Sequence, residues 1–297
     1  LVDQAGSAIP LTPRFFEAGE WRTLTETDFE FTYVAADAGR LCLIADRVRS
    51  WGLYYATQGD NVWVSDDAHW IRSRLHSSTL RPESILEFEH AGFVCGPHTL
   101  WAEIRTVQAG ECVQGAYRKA AWTFTGTAYF AYRSQATEIT PAEALRKLDD
   151  ACASVFSQAV SRASGRPIVV PLSGGLDSRL ILFWLKRLGA ADVRTYTFGR
   201  RDSADCVKAQ ASAAQLGYEW IHVPLDAERW RSSVRGGSYC AFQRRYSGYS
   251  AVQSSQEFPA LAYLTEENLL PSEAVLMPGH TGDFISGTRP SRFIAKM

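Results

Sequence analysis

Between residues 29 and 65 the chain runs through short β-branched and aromatic segments, FEFTYVA, LCLIAD, GLYYA and NVWVS, separated by DAGR, RVRSW and TQGD. The separators carry the Gly and Asp of tight turns, so the pattern predicts strands in an antiparallel meander. DAHWIRSRL then reads as a short helix. PESILEFEHAG reads as a second, with Pro82 at its first position and Gly92 near its C-terminus. From Gly96 to about Ser134 the texture is irregular and strand-like. At Thr140 it changes: Thr140-Pro141-Ala142-Glu143 is a capping-box sequence. Leu145, Leu148, Cys152, Val155, Phe156 and Ala159 follow at helical spacing, which predicts an amphipathic helix.

Beyond Ser164-Gly165-Arg166 the pattern alternates. PIVVPL, VRTYTFG and EWIHVPL read as buried strands, and AVLMP at 274–278 as another. The intervening segments LDSRLILFWLKRL and DSADCVKAQASAAQL read as helices closed by Gly189 and Gly217. Buried strands alternating with helices imply a parallel sheet. The expected class is therefore α/β: a parallel-sheet domain over residues 135–297, preceded over residues 1–134 by a smaller antiparallel β-rich domain.

Composition narrows the function classes. The chain has 297 residues, is 46% hydrophobic and 21% charged, and balances 31 Lys and Arg against 32 Asp and Glu for a net charge of -1. It can bury a sizeable core, and it lacks a basic nucleic-acid footprint. No stretch approaches the roughly 18 apolar residues that a membrane span needs. The six cysteines form no CxxC pair, which reads as reduced thiols of a cytoplasmic protein.

Candidate chemistry centres on PLSGGLDSR, residues 171–179, which joins a buried strand to a helix. Gly174 and Gly175 let the backbone turn sharply. Ser173 and Ser178 offer hydroxyls, and the helix N-terminus directs N–H groups and the positive end of its dipole at whatever lies above. Such a cradle suits a phosphate chain. Asp177 beside it would repel phosphate unless a divalent cation bridges them, which implies Mg²⁺. The segment is neither GxxxxGK[ST] nor GxGxxG.

SGGLDS resembles the pyrophosphate loop of N-type ATP pyrophosphatases. VLMPGHTGDFISG, residues 275–287, resembles the second signature of asparagine synthetases, roughly LSGEGxDExxGG. CLIADRVRSWGLYYA with VWVSDDAHWIRSRL, and GFVCGPHTLWAEIRTVQAGE, resemble further stretches of the same proteins. The resemblance covers about residues 29–290 and is to the asparagine synthetase family. It implies an adenine nucleotide alpha hydrolase-like ATP-pyrophosphatase domain after a remnant of an N-terminal-nucleophile glutamine amidotransferase domain. It also implies an ATP-dependent amide ligase that adenylates a carboxylate, aspartate by default, releases AMP and PPi, and joins the acyl group to ammonia or another amine.

By position the resemblance assigns Leu172, Ser173, Gly174, Gly175, Asp177, Ser178, Phe198, Pro278 and Gly279 to ATP and PPi. Of these, Leu172 and Phe198 would lie along adenine and ribose. It assigns Asp177 and Asp283 to Mg²⁺ and catalysis. A homodimer is compatible with it, and a membrane or nucleic-acid partner is not expected.

The sequence departs from the family in several places. Residue 1 is Leu, no Cys lies near it, and the glutamine-binding motifs are absent upstream of Asp46, so glutaminase activity is not expected. In the second signature His280 and Phe284 replace acidic residues and Pro278 replaces Ser. The family's C-terminal helical portion is expected to be largely missing. Such departures also fit a specialised amide synthetase, as in β-lactam synthetases, lasso-peptide cyclases or polysaccharide-modifying enzymes, or a catalytically inactive ATP-binding protein.

Overall fold

The computed structural model describes residues 30–133, 138–280 and 282. The chain divides into two compact units, one comprising residues 1–136 and 237–254 and the other residues 137–236 and 255–297.

In the first unit, strands β1 (Thr32–Asp37), β2 (Arg40–Ala45), β3 (Tyr54–Gln58) and β4 (Asn61–Ser65) fall where the sequence predicts them. They do not form one meander. β2 turns away from β3 and pairs antiparallel with β6 (Glu111–Arg118), which continues into β7 (Ala121–Ala128). β3 and β4 form a second sheet with β5 (Ile104–Thr106). The reason lies in burial. Leu41, Leu43 and Ala45 face one apolar cluster while Cys42 and Ile44 face another, so β2 must be covered on both faces. A sharp turn at Asp46 sets the departure. Its buried carboxylate accepts the N–H groups of Phe31, Val48 and Ser50 at 3.2, 2.9 and 3.1 Å. A buried carboxylate is tolerated because donors replace its lost water.

Helix α1 (Ala68–Arg74) is capped by Asp67, whose side chain accepts from the N–H groups of His69 and Trp70. Helix α2 (Pro82–Ala91) begins at Pro82 and stops at Gly92 in the left-handed region, as predicted. Their unit recruits one distant helix, which no feature of the sequence announces, and the chain after that helix pairs with strand-like segments near Gly92.

The second unit opens with α3 (Pro141–Ala163). The Thr140 hydroxyl accepts the Glu143 N–H at 3.2 Å, which realises half of the expected capping box. The apolar face is only partly used. Phe156, Val160 and Ala163 pack on the core, whereas Leu145, Leu148 and Val155 are exposed. Next come β8 (Ile168–Pro171), α4 (Leu176–Arg187), β9 (Val193–Phe198), α5 (Ala204–Leu216) and β10 (Glu219–Val223). α6 (Ala227–Arg235), α7 (Gly237–Ser247), α8 (Phe258–Glu266) and β11 (Val275–Leu276) follow. Of these, α7 is the helix that belongs with the first unit.

The sheet of the second unit is parallel, in the order β10-β9-β8-β11. β8 sits inside it with both faces covered. Ile168, Val170 and Leu172 enter a cluster with Leu182 and Leu185 of α4, and Val169 enters the opposite cluster with Tyr196 and Leu264. This is why β8 reads as a continuous apolar run rather than an alternating one. Each such aliphatic side chain, fully buried, contributes on the order of 1.5–3 kcal/mol. The protein is thus a mixed α/β molecule, with one parallel sheet and two antiparallel ones among the described residues. Among the described residues no helix is long and apolar enough to cross a membrane, and the six cysteines are free.

Candidate functional site

The second unit carries a cavity of about 260 Å³ at the carboxyl ends of its parallel strands. This is where open α/β sheets place ligands, because the strand-to-helix loops diverge there. Two of those loops hold the segments singled out from the sequence.

The first is the β8–α4 junction. The Leu172 N–H donates to the Tyr196 carbonyl oxygen at 2.8 Å, carrying the ladder one residue past the strand. Its own carbonyl oxygen accepts the Thr197 hydroxyl at 2.7 Å, and Thr197 in turn accepts the Trp220 indole N–H at 2.9 Å. The loop then folds onto itself. The Ser173 N–H donates to Ser178 Oγ at 3.0 Å, the two hydroxyl oxygens lie 3.1 Å apart, and the Gly175 N–H donates to Ser173 Oγ at 3.1 Å.

The Gly174 N–H donates to Asp205 Oδ1 at 3.1 Å. The donors of Ser173, Gly174 and Gly175 are therefore already engaged, contrary to a loop whose backbone stands open. What stays available is the first turn of α4. Gly175 is its N-cap and gives no side-chain cap, so the orphan N–H groups of that turn and the positive dipole end face the cavity mouth.

The second segment follows β11. Because β11 lies beside β8 and runs parallel to it, the chains leaving both strands emerge on the same side. The Met277 N–H donates to the Val169 carbonyl oxygen at 2.8 Å, extending the alignment to the edge of the cavity. Gly279 backs directly onto α4: a Cβ there would lie 2.9 Å from the Ser178 backbone nitrogen. At Gly282 an added Cβ would overlap the Asp177 carboxylate. At Gly279 the neighbour is backbone that cannot yield, so that approach requires glycine; at Gly282 the neighbour is a carboxylate that a larger residue would displace.

Of the residues assigned from the sequence, Leu172, Ser173, Asp177, Ser178, Phe198, Pro278 and Gly279 line the cavity. Gly174 and Gly175 shape the loop beneath it. Asp283 lies outside the described residues, as does Phe284.

Besides Thr197, four lining residues were not singled out by sequence reasoning. Asp205 enters from the first turn of α5, where the Ser203 cap holds the helix start. Tyr196 is wholly buried and its hydroxyl has no hydrogen-bond partner among the described residues. Burial, and secondarily the negative charge of Glu257, push the Tyr196 phenol above its ordinary value. Gln256 and Glu257 precede α8. His280, which stands where the second signature carries an acidic residue, meets Glu257, with Nε2 3.0 Å from Oε1. A carboxylate one step from a glycine-rich turn carries a sequence signal only for Asp205, in the DSAD run at a helix start. The others are juxtaposed by the sheet.

The lining includes Asp177, Asp205 and Glu257 and no Lys or Arg among the described residues. An anionic ligand would thus depend on helix N–H groups and on a cation for charge balance. Among the described residues no group of three or more His, Cys, Asp or Glu side chains could hold a metal by itself. A hard divalent ion that keeps waters and shares phosphate oxygens needs only one or two carboxylates, and Asp177 fits that requirement.

Residues 151–234, from within α3 to within α6, match the model of the asparagine synthase family. Among solved structures, the chain is similar to an NH3-dependent NAD synthetase from Campylobacter jejuni in complex with the nitrate ion. Identity is 14% with a TM-score of 0.33, over 48% of this chain and 59% of that one. No curated protein matches the chain.

Proposed function

We propose, for a chain whose residues 151–234 match the asparagine synthase family, that the cavity at residues 172–178 and 278–279 binds ATP and that the protein is an ATP-using amide ligase. The observation that carries this reading is the approach of Gly279 and Gly282 to the first turn of α4. Two glycine-rich turns more than a hundred residues apart meet around one helix N-terminus and one carboxylate.

In this reading the first-turn N–H groups of α4, with the Ser173 and Ser178 hydroxyls, hold the β and γ phosphates that leave as PPi, and Gly174 and Gly175 shape the turn that brings them there. Leu172 and Phe198 flank the nucleoside, and Pro278 and Gly279 close the site from the side of β11. Asp177, with Asp283 from the second signature, would hold Mg²⁺, which when bound supplies charge neutralisation at the phosphates. The chain's own part is positioning: it keeps the α phosphorus beside a substrate carboxylate and holds water away. Carboxylate attack at that phosphorus gives an acyl-adenylate and PPi. An amine then forms the C–N bond as the C–O bond to AMP breaks. Aspartate with ammonia is the default pair suggested by the family, and adenylation followed by transfer to ammonia is the form we test first.

The His280–Glu257 pair favours a second reading, a specialised amide synthetase whose nucleophile is an organic amine. A histidine paired with a carboxylate stands in the second signature where asparagine synthetases carry an acidic residue. ATP–PPi exchange with a panel of amino acids and dicarboxylic acids tests the shared step, and AMP release with ammonia or organic amines separates the two readings. Binding of ATP with neither exchange nor AMP formation would instead mark an inactive nucleotide-binding protein.

A further inference from the structure

We infer that the end of the cavity bounded by Tyr196, Glu257 and His280 is a subsite for a primary ammonium group. The inference deepens the ligase reading and rests on it for the identity of the bound molecule as an amine-bearing reactant.

Three observations lead there. First, Tyr196 is wholly buried, lines the cavity, and leaves its hydroxyl with no partner among the described residues. A buried hydroxyl left alone is costly, and native structures satisfy such groups with a ligand or a held water. Second, Glu257 lines the cavity and, at the N-cap position of α8, makes no side-chain cap hydrogen bond. Its side chain is only 18% exposed and faces His280, and its charge is felt at Tyr196. Third, the cavity carries three carboxylates with no Lys or Arg among the described lining residues.

Together these choose the ligand's charge. A carboxylate placed at this end would be repelled by Glu257. A neutral hydroxyl could satisfy Tyr196 but would bring no positive charge to Glu257. A primary ammonium offers three donors. One can reach Glu257 and one the Tyr196 oxygen, which can accept while its own proton turns to a neighbouring acceptor. His280 is a positioning residue in this scheme: its contact at 3.0 Å fixes one carboxylate oxygen and leaves the other for the ligand. The anionic end of the substrate pair then lies toward α4 and the cationic end toward α8, so one cavity sorts its ligands by charge.

The test uses the full chain and two probes of equal shape, propylammonium and propan-1-ol, with binding followed by ligand-observed NMR near neutral pH. The ammonium is expected to bind about tenfold more tightly, the scale of one charge-assisted hydrogen bond. This comparison needs no variant. The preference is expected to vanish in Glu257→Gln and to persist in Asp177→Asn and Asp205→Asn, with thermal unfolding confirming that each variant is folded. Tyr196→Phe is expected to weaken the ammonium several-fold.

Equal affinities for the two probes would overturn the subsite, as would a preference that survives Glu257→Gln or follows Asp177 instead. An ammonium affinity unchanged in Tyr196→Phe would remove the hydroxyl from it. ATP–PPi exchange is read separately. Loss of exchange with the ammonium preference intact would remove the ligase reading and keep the subsite. Intact exchange without the preference would remove the subsite alone.

Discussion

The Thr197 hydroxyl donates to the carbonyl oxygen of Leu172 at 2.7 Å, tying the end of β9 to the first residue of the glycine-rich loop. Both residues are buried, and the Trp220 indole N–H completes the chain by donating to the same hydroxyl. The loop therefore starts from a carbonyl whose direction is fixed by the neighbouring strand.

Thr197→Val keeps the shape and removes the hydroxyl, leaving the Leu172 carbonyl and the Trp220 N–H without this partner. A cost of about 1–3 kcal/mol is expected, the usual penalty for an unsatisfied buried group. Urea unfolding measures it. The same variant should bind ATP more weakly if the loop is the nucleotide seat.

A second expectation concerns Gly279→Ala. Its Cβ would lie 2.9 Å from a backbone nitrogen of α4, where no flexible side chain can yield. A loss of about 1–3 kcal/mol is expected from overpacking. Gly237→Ala, where nothing lies within 4 Å of the added carbon, provides the comparison and should change stability by less than about 1 kcal/mol. Equal melting temperatures for the two variants would contradict the close approach of the two turns.

Asp177→Asn should preserve the fold, because a carboxylate in the first turn of a helix is worth only about 0.3–1 kcal/mol through the dipole. Activity should respond far more strongly. ATP–PPi exchange is expected to fall by about a hundredfold or more, the scale of removing one charge-stabilising group from a transition state. Exchange persisting near the parent rate would withdraw the metal role proposed for this residue.

Acid stability offers a test within the first unit. Arg245 of α7 donates to Asp66 at 2.8 Å, and that hydrogen bond, opposed in part by burial, holds the Asp66 carboxyl below the usual carboxylate range. A depressed carboxyl contributes stability that is present at neutral pH and lost as pH falls through its lowered value. Both side chains are about half exposed, so Asp66→Asn should cost at most about 1 kcal/mol at neutral pH. The difference should close by about pH 2, once the carboxyl is protonated in the parent as well. A difference that stays constant across this range would exclude the charge as its source.

Much of the second unit was legible because its information is local. Thr140 with Glu143 starts α3, Gly217 in the left-handed region ends α5, and the uninterrupted Ile168–Pro171 run marks a strand covered on both faces. The same locality misled at Leu145, Leu148 and Val155. Their helical spacing is real, but spacing alone does not say whether another surface covers them. In the first unit the turns were legible and the pairing was not. A strand's alternation leaves open which neighbour it joins, so β2 could join β6 as readily as β3.

By itself, then, the sequence determined where β1–β4, α1–α5 and the strands of the parallel sheet lie and which turn could seat a phosphate, because caps, turn glycines and periodicity act within a few residues. Only the tertiary structure decided that Asp205 would occupy the Gly174 N–H, that His280 would meet Glu257, and that the Tyr196 hydroxyl would be buried with no partner among the described residues. Those relationships join different strands and helices across the parallel sheet, and strand order, set by long-range burial, is not encoded in any short window of residues.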